Sequence, residues 1–153
     1  LYIVAQSATP HWLIIYNTAV AELGSTASPS VISPKSFTWT TSTLSANLQN
    51  FRFKYASPQH RFYLAREVVS YRCAGAGLDP AGTGQGKLWR DSSANLDGSS
   101  ASQALLVDGL SSCAFDYAVA TNTRSGLVTL RLTLAEAGET ITLLQQVHVD
   151  NAP

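Results

Sequence analysis

The chain has 153 residues, with ten basic and ten acidic side chains and a formal net charge of zero. Only 13% of the residues are charged and 45% are hydrophobic; that suits one folded domain, and the balanced charge gives no electrostatic case for a nucleic-acid partner. No apolar run approaches the roughly eighteen residues of a membrane helix, and the cluster Trp12–Tyr16 is strand-sized.

The dominant pattern is β. "HWLIIYNT" (His11–Thr18) is an apolar run behind Pro10 and predicts a buried strand. "GSTASPSVISP" (Gly24–Pro34), with two prolines, reads as a loop. "SFTWTTS" (Ser36–Ser42) alternates Phe37 and Trp39 with threonines, the period of a half-buried strand. "NFRFKYAS" (Asn50–Ser57) predicts another strand, with Phe51, Phe53 and Tyr55 on one face, until Pro58 ends it. "HRFYLAREVVSYRC" (His60–Cys73) reads as two strands around a turn near Ala65–Glu67. A glycine-rich loop follows, then a short strand "KLWRD" (Lys87–Asp91) and a polar stretch, Ser92–Ser102. "QALLVDGLSS" (Gln103–Ser112) fits a strand or one helical turn, and "CAFDYAV" (Cys113–Val119) alternates again. The clearest element is a hairpin: "GLVTLRLTLAE" (Gly126–Glu136) and "ETITLLQQVHVD" (Glu139–Asp150), joined by Ala137–Gly138.

Motifs for chemistry are weak. "YRCAGAGLDPAGTGQGKLWRD" (Tyr71–Asp91) holds five glycines and a lysine. A phosphate-binding loop needs glycine where Ala81 stands and a hydroxyl where Leu88 stands. A dinucleotide fingerprint needs glycine in place of Pro80, and no helix follows to aim its N-terminus at phosphate. The stretch therefore reads as a flexible hairpin loop. "GLSSC" (Gly109–Cys113) resembles a nucleophile elbow around Ser111, but Cys113 replaces the last glycine and the context is strand-like. His11, His60 and His148 are the only histidines; His148 and Asp150 share a strand face and read as solvated residues rather than a metal site. The aromatics Phe37, Trp39, Phe51, Phe53, Tyr55, Phe62 and Tyr63 read as core and cross-strand packing, with a stacking platform for sugars as the competing role. Cys73 and Cys113 are the only cysteines. They are either two buried thiols or one disulfide; the segment between them is poor in core-forming residues, which favours the disulfide and hence an oxidising compartment.

The order and spacing of "RFYLAREVVSYRC", the glycine-rich gap with "KLWRD", "LLVDGLSSCAFDY" and "GLVTLRLTLAEAGETITLLQQVHVDNAP" resemble the C-terminal part of minor pilins. The likeness is to the MshO type of the mannose-sensitive haemagglutinin (MSHA) type IV pilus, within the pilin-like group of PilW and GspJ. It runs from about His60 to Pro153, and "WLIIYNTAV" adds a weaker match upstream. The resemblance implies a prepilin leader and a long hydrophobic helix ahead of this sequence, which begins at Leu1 and contains no methionine. It also implies a disulfide between Cys73 and Cys113 and no catalytic residues; from the residues themselves no cofactor or metal site is read, with calcium on loop carboxylates left open. Implied partners are the other minor and major pilins, with the inner membrane reached through the N-terminal helix, at the periplasmic or extracellular face of a Gram-negative cell. The Ser/Gly insertion at Ser92–Ser102 and the first thirty-five residues depart from the pattern.

The resulting expectation is a single mainly-β domain over residues 1–153, built of two packed antiparallel sheets and lacking the pilin helix. Its expected role is that of a non-enzymatic structural subunit in pilus biogenesis or tip assembly. The competing role is an extracellular adhesin or carbohydrate-binding β module.

Overall fold

The computed structural model describes residues 7–40, 43–119 and 126–149. The fold is mainly β, with one four-stranded and one five-stranded antiparallel sheet, as the alternating pattern predicts. The strands are β1 (Ser7–Ile14), β2 (Phe37–Thr40), β3 (Thr43–Ser45), β4 (Tyr63–Ala65), β5 (Val68–Ala74), β6 (Gly86–Ser93), β7 (Ser102–Ala118), β8 (Gly126–Glu136) and β9 (Glu139–Val149). The only helix among the described residues is a 3-10 turn, Val20–Gly24, and no helix there is long and apolar enough to cross a membrane. The chain divides into two compact units: residues 1–68 with 94–99, and residues 69–93 with 100–152.

The first unit holds the sheet ordered β3-β2-β1-β4. Its centre is β1, where Trp12 and Leu13 are buried. The predicted strand there is real but begins earlier and ends at Ile14, and Tyr16 turns the chain at a positive φ of 47°. Two expectations are corrected here. "SVIS" (Ser30–Ser33), read as loop, supplies Val31, Ile32 and Ser33, among the most buried side chains described. It is stitched to β1 by Ser33 N–H to the Leu13 carbonyl (2.9 Å), Leu13 N–H to Ser33 Oγ (2.9 Å) and Ile15 N–H to the Val31 carbonyl (2.9 Å). Prolines 29 and 34 confine it to a short bridge, not its burial.

"NFRFKYAS", read as a strand, makes only one parallel bridge, Phe53 to Ser30. Ser30 N–H donates to the Arg52 carbonyl and Lys54 N–H to the Ser30 carbonyl. The next donors on either side are taken by side chains: Arg52 N–H donates to Ser28 Oγ (3.0 Å) and Ile32 N–H to Ser30 Oγ (3.2 Å), so the ladder stops at one bridge. Phe51 and Phe53 instead pack edge to face, with centroids 5.0 Å apart.

A polar clasp closes this unit. The Glu22 carboxylate takes Lys54 Nζ at 2.9 Å on one oxygen, and Thr18 N–H and Oγ1 at 3.1 Å on the other. Those contacts, the lysine first, lower its pKa from 4.5 to about 2. A depressed carboxylate pKa stabilises the fold fully above the unfolded value and loses that contribution as pH falls through the folded one. The clasp is therefore expected to hold through mild acid and open only near pH 2. An NMR titration of the Glu22 side-chain carboxyl checks this; a midpoint above pH 4 would contradict the geometry.

The second unit is a meander in sequence order, β5-β6-β7-β8-β9. The segment Gln103–Ser112, open between strand and helical turn in the sequence, is strand throughout, as part of the seventeen-residue β7. The hairpin of β8 and β9 forms as the pattern predicts, with eleven register pairs from Gly126↔Val149 to Glu136↔Glu139 and no slip. Ala137 (φ 50°) and Gly138 (φ 86°) make the two-residue turn, whose left-handed backbone matches the twist of the strands it joins. β7 carries register shifts against both neighbours, around Gly109 (φ 78°) and Ser111, and these bulges bend it. The core of the unit is Leu88, Leu110 and Leu132, with Cys73, Val107, Cys113, Leu130 and Leu134 packed on it.

Candidate interaction surface

Cross-strand pairing sorts the side chains of the second unit onto two faces. One face carries the rows Leu110–Leu134–Ile141, Cys113–Leu132–Leu143, Phe115–Leu130–Gln145 and Tyr117–Val128–Val147. The other carries Ser112–Thr133–Thr142, Ala114–Arg131–Leu144 and Asp116–Thr129–Gln146. There Thr133 and Thr142 share a hydroxyl hydrogen bond (3.1 Å), and Gln146 Nε2 donates to Thr129 Oγ1 (3.3 Å). A polar, hydroxyl-rich face suits water. The apolar face is buried only around Leu110 and Leu132; towards its far rows and β9 it lies open, with Phe115 at 43%, Leu143 at 53% and Ile141 at 67% exposure. Contiguous apolar surface of this kind marks a place where another element docks. The sequence shows the alternation that creates the face. Nothing local in it says that half of the face stays bare.

A disulfide and a loop hold one end of this face rigid. Cys73 on β5 and Cys113 on β7 are bonded, 40 residues apart in sequence, with Cα atoms 6.3 Å apart. The pairing selected from the sequence is present, and such a bond belongs to an oxidising compartment.

The glycine-rich loop between β5 and β6 is not the free, flexible loop expected. Asp79 Oδ1 accepts the N–H groups of Ala81 and Thr83 (2.9 and 2.8 Å), an Asx-type turn. Gly84 N–H donates to the Ala135 carbonyl (2.8 Å), Gly77 N–H to the Leu110 carbonyl (3.3 Å), and Gly138 N–H to the Gly82 carbonyl (3.1 Å). The loop thus ties the β7 bulge to the β8–β9 turn. A Cβ on Gly84 would run into the Gly109 carbonyl, and one on Gly86 would come within 2.6 Å of the Ala76 Cα. These glycines permit close backbone approach. No phosphate cradle is formed, and Lys87 is spent on Asp108 at 3.2 Å. Asp108 is lowered in pKa by the Gly109 N–H first and by Lys87 second.

Within neither unit do the described residues considered for catalysis converge. Ser111 sits in mid-strand, not at a strand-to-helix elbow, and its hydroxyl donates to the Thr133 carbonyl (3.1 Å). His11 is buried on β1 in the first unit, and His60 lies at a turn there with φ 54°. His148 stands opposite Leu127 on β9; Asp150 lies outside the described residues. Among the described residues no group of three or more His, Cys, Asp or Glu could hold a metal ion.

Two aromatic pairs among the described residues meet edge to face rather than side by side. Tyr16 and Tyr55 meet at 90° and Phe51 and Phe53 at 87°, while Phe37 is buried. Phe62 and Tyr63 are exposed, and the side chain of Trp39 lies outside the described residues. The first unit also has an open polar hollow beside Trp12, Thr26, Asn95 and Asp97. Its one aromatic ring is covered by Lys35, whose Nζ sits 4.2 Å from the Trp12 centroid and donates to the Ala94 carbonyl (2.8 Å). That leaves no free ring face for a sugar. The functional geometry of the described residues is therefore a surface, bolted at one end and apolar at the other. No family model, no curated protein and no solved structure matches this chain.

Proposed function

We propose that the chain is the periplasmic β domain of a minor-pilin-like subunit of the MSHA type, a non-enzymatic part of type IV pilus assembly. The observation that carries this reading is the half-bare apolar face of the five-stranded sheet. An apolar sheet face that is only half buried calls for a covering layer of the kind that stable domain architectures provide. The long N-terminal helix that the resemblance implies is an element of the right kind to supply it. The Cys73–Cys113 bond supports the same compartment. In this reading the subunit acts through contacts with neighbouring pilins and carries no reaction.

Two measurements test it. The coding sequence upstream of Leu1 is expected to encode a prepilin cleavage site followed by about twenty apolar residues, and a frame without them overturns the proposal. Phe115→Lys places a charge on the bare face. It is expected to cost the isolated chain only about 1 kcal/mol, yet to abolish surface pili when introduced into the host gene. Normal piliation by the variant, counted by electron microscopy, would refute the role assigned to this face.

A further inference from the structure

The last strand of the five-stranded sheet, β9, ends the sheet without the usual protection. Natural edge strands are kept short, bulged, or marked with lysine or proline, because a bare edge pairs with another strand. The other sheet edges follow that practice: β3 and β4 have three residues each, and β5 carries Arg72. β9 has eleven residues, "ETITLLQQVHV", with no lysine, arginine or proline, and an unslipped register along its whole length. All but Val149 are exposed.

The hairpin fixes which backbone groups face outward. A two-residue turn makes Glu136↔Glu139 the closing hydrogen-bonded pair, and such pairs alternate along an antiparallel ladder. The N–H and C=O groups of Thr140, Thr142, Leu144, Gln146 and His148 therefore point away from β8. These are the centre and the two flanks of β9, arranged symmetrically about Leu144. Leu144 is also the one large apolar side chain that β9 places on its polar face, at 58% exposure.

We infer that β9 pairs antiparallel with β9 of a second copy of this chain, about a two-fold axis through Leu144. That register uses every residue of the strand. It sets Leu144 on its own copy, Thr142 opposite Gln146 and Thr140 opposite His148, with their outward backbone groups meeting in about ten ladder hydrogen bonds. On the apolar face it sets Ile141 opposite Val147. A two-fold contact of this kind closes on itself and does not propagate into fibres. The two apolar faces then continue as one surface. The inference rests on the edge and its sequence, and stands apart from the pilin reading.

The test is the oligomeric state of the 153-residue protein by analytical ultracentrifugation at high micromolar concentration. Twice the chain mass of 16.3 kDa is expected. Leu144→Lys opposes two like charges across the axis and is expected to weaken the dimer at least tenfold, while the fold, read by circular dichroism, is kept because the site is exposed. Leu144→Cys under mild oxidation is expected to give a covalent dimer, since hydrogen-bonded antiparallel pairs hold Cα atoms about 5.5 Å apart, within disulfide reach. Thr140→Cys alone is not, because residue 140 faces 148. A monomer at all concentrations, a dimer indifferent to Leu144→Lys, or cross-linking equal at both positions would each overturn the pairing.

Discussion

Replacing Cys73 and Cys113 together by alanine is expected to destabilise the five-stranded unit by about 4 kcal/mol. The estimate follows from chain entropy: opening a loop closed across 40 residues returns roughly that much freedom to the unfolded state. The loss is a large share of the 5–15 or so kcal/mol that holds a typical domain together. For a unit of this size it corresponds to a fall in Tm of roughly 20 °C. The small core makes the bond matter more: its fully buried cluster among the described residues is Leu88, Leu110 and Leu132, and the residues packed on it, Leu130 and Leu134 included, are only half-buried. Thermal unfolding followed by circular dichroism checks this. Reducing the native protein should reproduce the effect of the double substitution, and reducing the double variant should change nothing further. A shift of only a few degrees would mean that the sheet keeps its own register without the bolt.

Gly84→Ala should be nearly as damaging, at about 3 kcal/mol. A single methyl there meets the carbonyl of Gly109 and the backbone of Leu110, which cannot rotate away. The loop must lift, breaking the Gly84 N–H to Ala135 carbonyl bond and the bridge between Leu78 and Gly84. Overpacking and an unpaired buried N–H each cost about 1–3 kcal/mol. Gly77→Ala is the internal control. Its Cβ would meet nothing within 4 Å, so a change within about 1 kcal/mol is expected. Equal effects at both positions in denaturant unfolding would show that the glycines serve chain freedom rather than close approach.

The two substitutions bear on the same stretch, Tyr71–Asp91, and show what kinds of information the sequence carries. Its failure to match a phosphate-binding motif was legible, because that chemistry demands particular residues at fixed spacing, and Ala81, Pro80 and Leu88 occupy the wrong places. The function of its glycines was not. Gly75 and Gly82 adopt positive φ, as turn glycines do, but Gly84 and Gly86 are needed because distant backbone passes close by. Gly109 and Leu110 crowd Gly84, and Ala76 and Leu110 crowd Gly86; Gly109 and Leu110 lie more than twenty residues along the chain. The aromatic segment Asn50–Ser57 failed for the reverse reason: its alternation is sound, but beyond the bridge from Phe53 to Ser30 the neighbouring donors Arg52 N–H and Ile32 N–H are taken by serine hydroxyls.

The sequence by itself determined the mainly-β class, the β8–β9 hairpin with its Ala137–Gly138 turn, the alternation that sorts β7, β8 and β9 into two faces, and the favoured cysteine pair. Each of these rests on side-chain period, turn chemistry or residue count, which are local properties. Tertiary structure alone decided that "SVIS" is core, that the glycine-rich loop is a clasp, and that the apolar face and the edge of β9 remain open. Burial depends on which segments arrive from elsewhere to cover a surface, and alternation of polar and apolar residues specifies a face without specifying its cover.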